Sequence, residues 1–190
     1  MEKWAYNKNI KCYRGSENNV LDRYYKAAIE FDSDIICRIT SDCPLIDYKL
    51  IDDYYRIFIK ADFDYLSNSI SQKMPDGLDI EFFRVNSLKD ILIRSNLRLR
   101  HKEHVTPFFY ENPQLYKIKS IITDFDHSCI SLTVDYKSDL IRLKKLIAFL
   151  GGHHNIDYNK IIEIYKQDNS IIRSFLFRNE DRNSSYKRQL

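Results

Sequence analysis

Between residues 18 and 40 the hydrophobic period switches from helical to extended, and that switch restricts the fold more than any other feature. Residues 18–31 place Leu21, Tyr24, Tyr25, Ala28 and Phe31 three and four positions apart, one apolar stripe of a surface helix. Asp34-Ile35-Ile36-Cys37-Arg38-Ile39-Thr40 follows, a β-branched run that predicts a strand with much of both faces buried. The alternation then repeats. Asp47 can cap a helix carrying Ile51, Tyr54, Tyr55, Phe58 and Ile59, and residues 63–69 read as the next strand. Pro75-Asp76-Gly77 signals a turn before a strand over 78–85 and a helix from near Asn86. A further helix is expected to open near Lys102 and cross Pro107, and residues 128–135 alternate as a strand. Leu140, Leu143, Leu146, Ile147 and Leu150 share a helical face that Gly151-Gly152 ends, and a last helix covers about Tyr158 to Gln167. Without repeat or linker, this order predicts one α/β domain over residues 1–177, with a polar, partly disordered tail over 178–190.

A chain of 190 residues can bury roughly 70% of the surface it exposes when unfolded, so one core is affordable. Lys+Arg 30 against Asp+Glu 27 leaves a net charge of +3, too weak a field to collect nucleic acid or an acidic membrane surface. No run of about 18 apolar residues exists to span a bilayer, and Met-Glu-Lys-Trp-Ala-Tyr lacks the order of a secretory signal, which predicts a cytoplasmic protein. Cys12, Cys37, Cys43 and Cys129 form no Cys-x-x-Cys pair, so free thiols are expected and a zinc site is not. Only 4 glycines are present, and none builds a glycine-rich phosphate loop.

In open α/β sheets ligands gather at the carboxyl ends of strands. Asp42 follows the strand ending at Thr40, and Asp135 follows the one ending at Val134. If these ends are neighbours, carboxylates ~4 Å apart repel by about 4 kcal/mol at an effective dielectric near 20, and Mg²⁺ is the hard cation suited to offset them. The alternative is that Asp42 caps a turn before Pro44 and Asp135 caps the following helix. Asp76, Asp79 and Glu81 surround the Gly77 turn, with Asp79 and Glu81 on one strand face; a ligand-facing edge and a solvated hairpin both fit. Glu103 and His104 are adjacent on a helix and point apart, which makes a poor catalytic dyad. His153-His154 fit an exposed helix stop better than a metal site. Arg14-Gly15-Ser16 offers a cation and a cap hydroxyl for an anion; equally, Ser16 or Asn18 caps the helix and Arg14 is solvated.

Five segments in register carry a resemblance: Tyr13-Arg14-Gly15-Ser16-Glu17 with Val20 to Tyr25, Arg38 to Asp47, Pro75 to Glu81, Glu103-His104-Val105-Thr106-Pro107, and Thr133-Val134-Asp135. The chain resembles the cytidylyltransferase family of spore-coat polysaccharide biosynthesis proteins, which is similar to the 3-deoxy-manno-octulosonate and acylneuraminate cytidylyltransferases. The resemblance implies a nucleotide-diphospho-sugar transferase fold, a Rossmann-like three-layer sandwich. It also implies transfer of CMP from CTP to a sugar, with pyrophosphate released. It places Mg²⁺ on Asp42 and Asp135, nucleotide contacts at Arg14, Ser16 and Arg38, and the sugar side at Asp76, Asp79, Glu103 and His104. Neither nucleic acid nor membrane is among the implied partners.

The family's Gly-Asp-x-Pro-Leu is Ser41-Asp42-Cys43-Pro44-Leu45 here, where a side chain at 41 can crowd the backbone. The family's first strand and phosphate loop have no counterpart, since 13 residues precede Arg14 and a βαβ unit takes about 30 or more. The expectation is therefore an amino-terminally truncated member with unpaired sheet edges, prone to associate as a homodimer or with a chain carrying the loop, and active only where another chain supplies that loop. Competing expectations are a non-catalytic remnant that binds a sugar or an intact homologue, and a glycosyltransferase of similar fold. Asp32-Ser33-Asp34 has the spacing a glycosyltransferase needs but precedes its strand.

Overall fold

A computed structural model describes residues 2–167; the tail expected at 178–190 lies outside them. The element order is α1 (Glu2–Asn7), α2 (Val20–Glu30), β1 (Ile35–Arg38), α3 (Tyr48–Lys60), β2 (Tyr65–Ser67), β3 (Glu81–Arg84), α4 (Val85–Leu92), α5 (Leu99–His104), α6 (Pro107–Glu111), β4 (Ile118–Ser120), α7 (Lys137–Phe149), a 3-10 turn (His153–Asn155) and α8 (Tyr158–Gln167). The strands form one sheet in the order β1-β3-β2-β4. β3 is antiparallel to β2, because Arg84 N–H reaches Asp64 C=O at 3.1 Å while Asn68 N–H reaches Ile80 C=O at 3.4 Å. β4 is parallel to β2, with Asp64 N–H on Lys117 C=O and Ile121 N–H on Ser67 C=O, both at 2.9 Å. The α/β class is as the sequence predicts. No helix among the described residues is long and apolar enough to cross a membrane.

Four expectations need correction. Residues 128–135 form no strand; they make one isolated parallel bridge, Asp76 to Ser131, because the partner segment turns at Gly77 (φ +98°) and cannot run alongside. The helix across Pro107 is two helices: Val105 has φ +71° and Pro107 begins α6, where its missing N–H costs nothing. β1 is not buried on both faces, and Cys37 is exposed. β3 starts only at Glu81, because the buried Asn68 side chain takes the place of a neighbouring strand. Its Oδ1 accepts Ile80 N–H at 2.8 Å and its Nδ2 donates to Leu78 C=O at 2.7 Å. α1 and β4 have no counterpart among the predicted elements.

The chain divides into two compact units. Unit 1 holds residues up to Cys37, Asp62–Tyr65 and Phe82–Ile118. Its core is aromatic: Tyr65 stacks on Phe109 at 4.8 Å, and Tyr116 meets Phe109 edge-on at 4.9 Å. Asp64 ties this unit together, accepting Ser87 Oγ–H at 2.6 Å and Lys117 N–H at 2.9 Å.

Unit 2 holds Arg38–Ala61, Leu66–Glu81 and the described residues from Lys119 onward. Its core is aliphatic, with Leu45, Leu78, Leu132, Leu143, Leu146 and Ile161 among its buried members. Each such side chain is worth about 1.5–3 kcal/mol of burial. Asp47 caps α3 as predicted, through Lys49 N–H at 2.9 Å, and its other oxygen accepts Tyr158 N–H at 2.9 Å at the start of α8. One buried carboxylate thus holds two helix starts.

His127 is buried and shares a 2.8 Å hydrogen bond with Tyr158 Oη. Burial first, and then Lys166, push its imidazole below the ordinary histidine range, against an opposing pull from Asp126. A histidine held neutral in the fold stabilises fully above the unfolded value of about 6.5 and loses that contribution as pH falls below it. The contribution of His127 should therefore decline from pH 7 to pH 5, opposite in sign to any group whose folded pKa is raised, and His127→Gln should remove that component of the pH dependence. Urea midpoints across this range check it, and an equal slope in both proteins excludes His127 as the source.

Candidate functional site

The candidate chemistry lies in unit 2, where β1 ends at Arg38. The chain turns through Thr40 to Cys43, with Cys43 N–H on Thr40 C=O at 3.2 Å and the Thr40 hydroxyl 3.0 Å from the Cys43 sulfur. Burial pushes the Cys43 thiol up to about 12, so it stays protonated and donates to Asp42 Oδ1 at 3.6 Å. Cys43 is a positioning group here, not a nucleophile.

Val134 N–H donates to Asp42 C=O at 2.9 Å. This bond brings the segments bearing Asp42 and Asp135 together, although 92 residues lie between the two aspartates in the chain. Asp135 accepts from the Thr133 hydroxyl at 3.2 Å and does not cap α7. Asp139 performs that role: it is buried, and its Oδ2 accepts Asp135 N–H at 3.0 Å and Tyr136 N–H at 2.9 Å. Arg142 bridges Asp139 Oδ1 at 3.4 Å and Thr133 C=O at 3.3 Å. Sequence reasoning passed over Asp139 and Arg142; an acidic residue at the third position of a helix was the available signal. Asp139→Ala should cost about 2 kcal/mol by stranding two N–H groups, with Asp139→Asn costing less, as urea midpoints will measure.

Arg38 on β1 forms an ion pair with Glu81 on β3, both largely withdrawn from solvent. Asp79 lies two residues before Glu81, ahead of the start of β3, and within electrostatic reach of Glu81 and Arg38. Its carboxyl is raised to about 6, by burial first, then by the charges of Glu81 and Asp42, with Arg38 pulling the other way. Arg38, Asp42, Asp79 and Glu81 therefore share one electrostatic neighbourhood. Asp76 is held against unit 2's own core: its N–H donates to Ile130 C=O at 2.9 Å and its C=O accepts Leu132 N–H at 2.7 Å.

The remaining candidates do not join this group. Arg14 is exposed to solvent, as its structural alternative expects, and pairs there with Glu2 at 3.0 Å. Ser16 Oγ accepts Asn19 N–H at 3.1 Å, and the cap of α2 is Asn19, through Asp22 N–H at 3.2 Å, rather than Ser16 or Asn18. Glu103 and His104 are exposed on α5 of unit 1. The buried histidine of that helix is His101, clasped by Arg98 N–H at 3.1 Å and Glu111 at 2.9 Å. His153 and His154 are exposed. Among the described residues, no three His, Cys, Asp or Glu side chains converge to hold a metal by themselves.

Residues 5–169 match the family model described as cytidylyltransferase. An uncharacterized protein of Methanocaldococcus jannaschii is 34% identical over 167 residues, covering 85% of this chain and 65% of its own length. The spore coat polysaccharide biosynthesis protein SpsF of Bacillus subtilis is 28% identical over 171 residues, covering 88% of this chain and 70% of SpsF. The chain thus spans about two thirds of the length of these relatives. A solved cytidylyltransferase from Leptospira borgpetersenii serovar Hardjo-bovis shares the fold with a TM-score of 0.83 at 32% identity, over 90% of this chain and 72% of that one. Because the family match covers residues 5–169 and so runs through both units, this chain belongs to the cytidylyltransferase family.

Proposed function

We propose that this chain works in the transfer of a cytidylyl group from CTP to a sugar used in polysaccharide synthesis, with pyrophosphate released. The observation that carries this reading is the 2.9 Å bond from Val134 N–H to Asp42 C=O, which places two aspartate-bearing loop ends side by side in a cytidylyltransferase chain. Mg²⁺ takes one or two protein carboxylates and completes its shell with phosphate oxygens and water. A pair of hard oxygen donors on adjoining loops fits that demand without a third protein ligand. Asp42 and Asp135 would hold the ion, and when bound it offsets charge on the phosphate oxygens.

The chain's own groups do the rest. The Thr40–Cys43 turn and the Asp139–Arg142 pair hold the two aspartate loops in place, so that positioning costs little at the moment of reaction. Arg38 supplies a fixed cation on the nucleotide side. Asp79, with its carboxyl near 6, is placed to accept a proton from an attacking sugar hydroxyl, since a base works best when its pKa approaches the working pH.

Calorimetric titration of CTP into the full chain, with and without Mg²⁺ and with ATP as comparison, tests the reading. Saturable, Mg²⁺-dependent CTP binding that weakens about tenfold or more in Asp42→Asn supports it. Absence of binding, or binding indifferent to both Mg²⁺ and Asp42→Asn, overturns it.

A further inference from the structure

Unit 1 carries a groove of 510 Å³ between α2, the end of α4 and α5, a volume in the range of small-molecule sites. Three of its lining residues are cations: Lys26, Arg94 and Lys102. Tyr25 and Leu97 contribute ring and aliphatic surface, and Asp22 is its acidic lining residue, already engaged by Lys26 at 2.8 Å.

Arg94 is held as a binding guanidinium is held. Asp90 accepts its Nε–H at 3.1 Å and Nη2–H at 2.6 Å, and its Cζ lies over the rings of Phe108 and Tyr116, 5.7 and 5.9 Å from their centroids. Tyr116 Oη–H donates to the same Asp90 oxygen at 2.7 Å, so the carboxylate is fixed in turn. That arrangement commits Nε and Nη2 to Asp90 and sets the guanidinium against the Tyr116 hydroxyl, which fixes its position at the groove. The Lys102 ammonium has no ion-pair partner among the described residues. An arginine whose rotamer is prepaid by stacking and a carboxylate loses little entropy on binding an anion. Helix-surface lysines alone do not have this property.

We infer that this groove binds a small anionic ligand, a phosphate or carboxylate group set between Arg94, Lys26 and Lys102, with a compact ring or apolar body against Tyr25 and Leu97. The inference is independent of the chemistry proposed for unit 2. Every residue involved belongs to unit 1.

Amide-resolved NMR titration of the full ¹⁵N-labelled chain tests it with phenyl phosphate, phenylacetate and phenol as probes. Saturable shifts confined to residues 19–26 and 92–102, with either anion and not with phenol, are expected, and the tighter anion identifies the headgroup. In the Lys26→Gln, Lys102→Gln double variant the Kd should rise about tenfold or more while amide positions elsewhere stay unchanged. Shifts that do not saturate, that appear equally with phenol, that map outside this groove, or that survive the double variant overturn the inference.

Discussion

Gly77→Ala should cost about 4 kcal/mol of folding stability, against about 2 kcal/mol for Gly152→Ala, because the two glycines differ in surroundings more than in backbone strain. Both have positive φ, +98° at Gly77 and +113° at Gly152. A side chain at either position is strained by about 1–3 kcal/mol. At Gly152 a Cβ meets nothing within 4 Å. At Gly77 it would lie 2.7 Å from the Leu132 carbonyl carbon and 2.9 Å from Thr133 N, both backbone atoms that cannot swing aside. Relief requires parting the Pro75–Leu78 turn from the 130–133 segment. That parting breaks the 2.9 and 2.7 Å bonds of Asp76 and loosens the packing of Leu78 on Leu132. Against a typical total of 5–15 kcal/mol, such a loss puts the fold near its limit. Urea unfolding of both variants decides the matter: equal losses would mean that close backbone approach is not what the position demands.

The second large effect runs the other way. Asp79→Asn should stabilise the chain at pH 7–8 by on the order of 2–3 kcal/mol. The Asp79 carboxyl rises from an unfolded value of 3.8 to about 6 in the fold. Between those values the folded state holds the extra proton, so the contribution of Asp79 is greatest below about pH 4 and is lost as pH rises through 6. Each unit of difference is worth about 1.4 kcal/mol. Asparagine removes the charge that Glu81 and Asp42 repel, and with it the pH slope. Wild type and variant should therefore be alike near pH 4 and diverge above pH 6, by several degrees in Tm for a chain of this size. A variant less stable than wild type at pH 8, or one keeping the slope, would place the repulsion elsewhere. A carboxylate retained at such a cost is the pattern expected where a site needs its chemistry.

The long amphipathic helices were legible because their signal is local. Leu21, Tyr24, Tyr25 and Ala28 describe α2, and Leu143 and Leu146 describe the buried stripe of α7, whatever they pack against. Short strands carry no such signal. β4 is three residues, Ile118–Ser120, extended because β2 offers it backbone partners. Residues 128–135 alternate as a strand should, yet remain irregular because their neighbour turns at Gly77.

The candidate site divides along the same line. Residue types at strand ends made Asp42, Asp79 and Asp135 visible as candidates, since strand ends are where polar side chains meet ligands. Their company was not visible. The bond from Val134 to Asp42, the clasp of Asp139 and Arg142 around the Asp135 loop, and the pairing of Arg38 with Glu81 all join residues through three dimensions. By itself the sequence determined the α/β class, the principal helices and the carboxylates available for chemistry, because periodicity and residue type are written along the chain. Tertiary structure alone decided which of those carboxylates are neighbours and which one is pushed toward neutrality, because burial and charge proximity are properties of space.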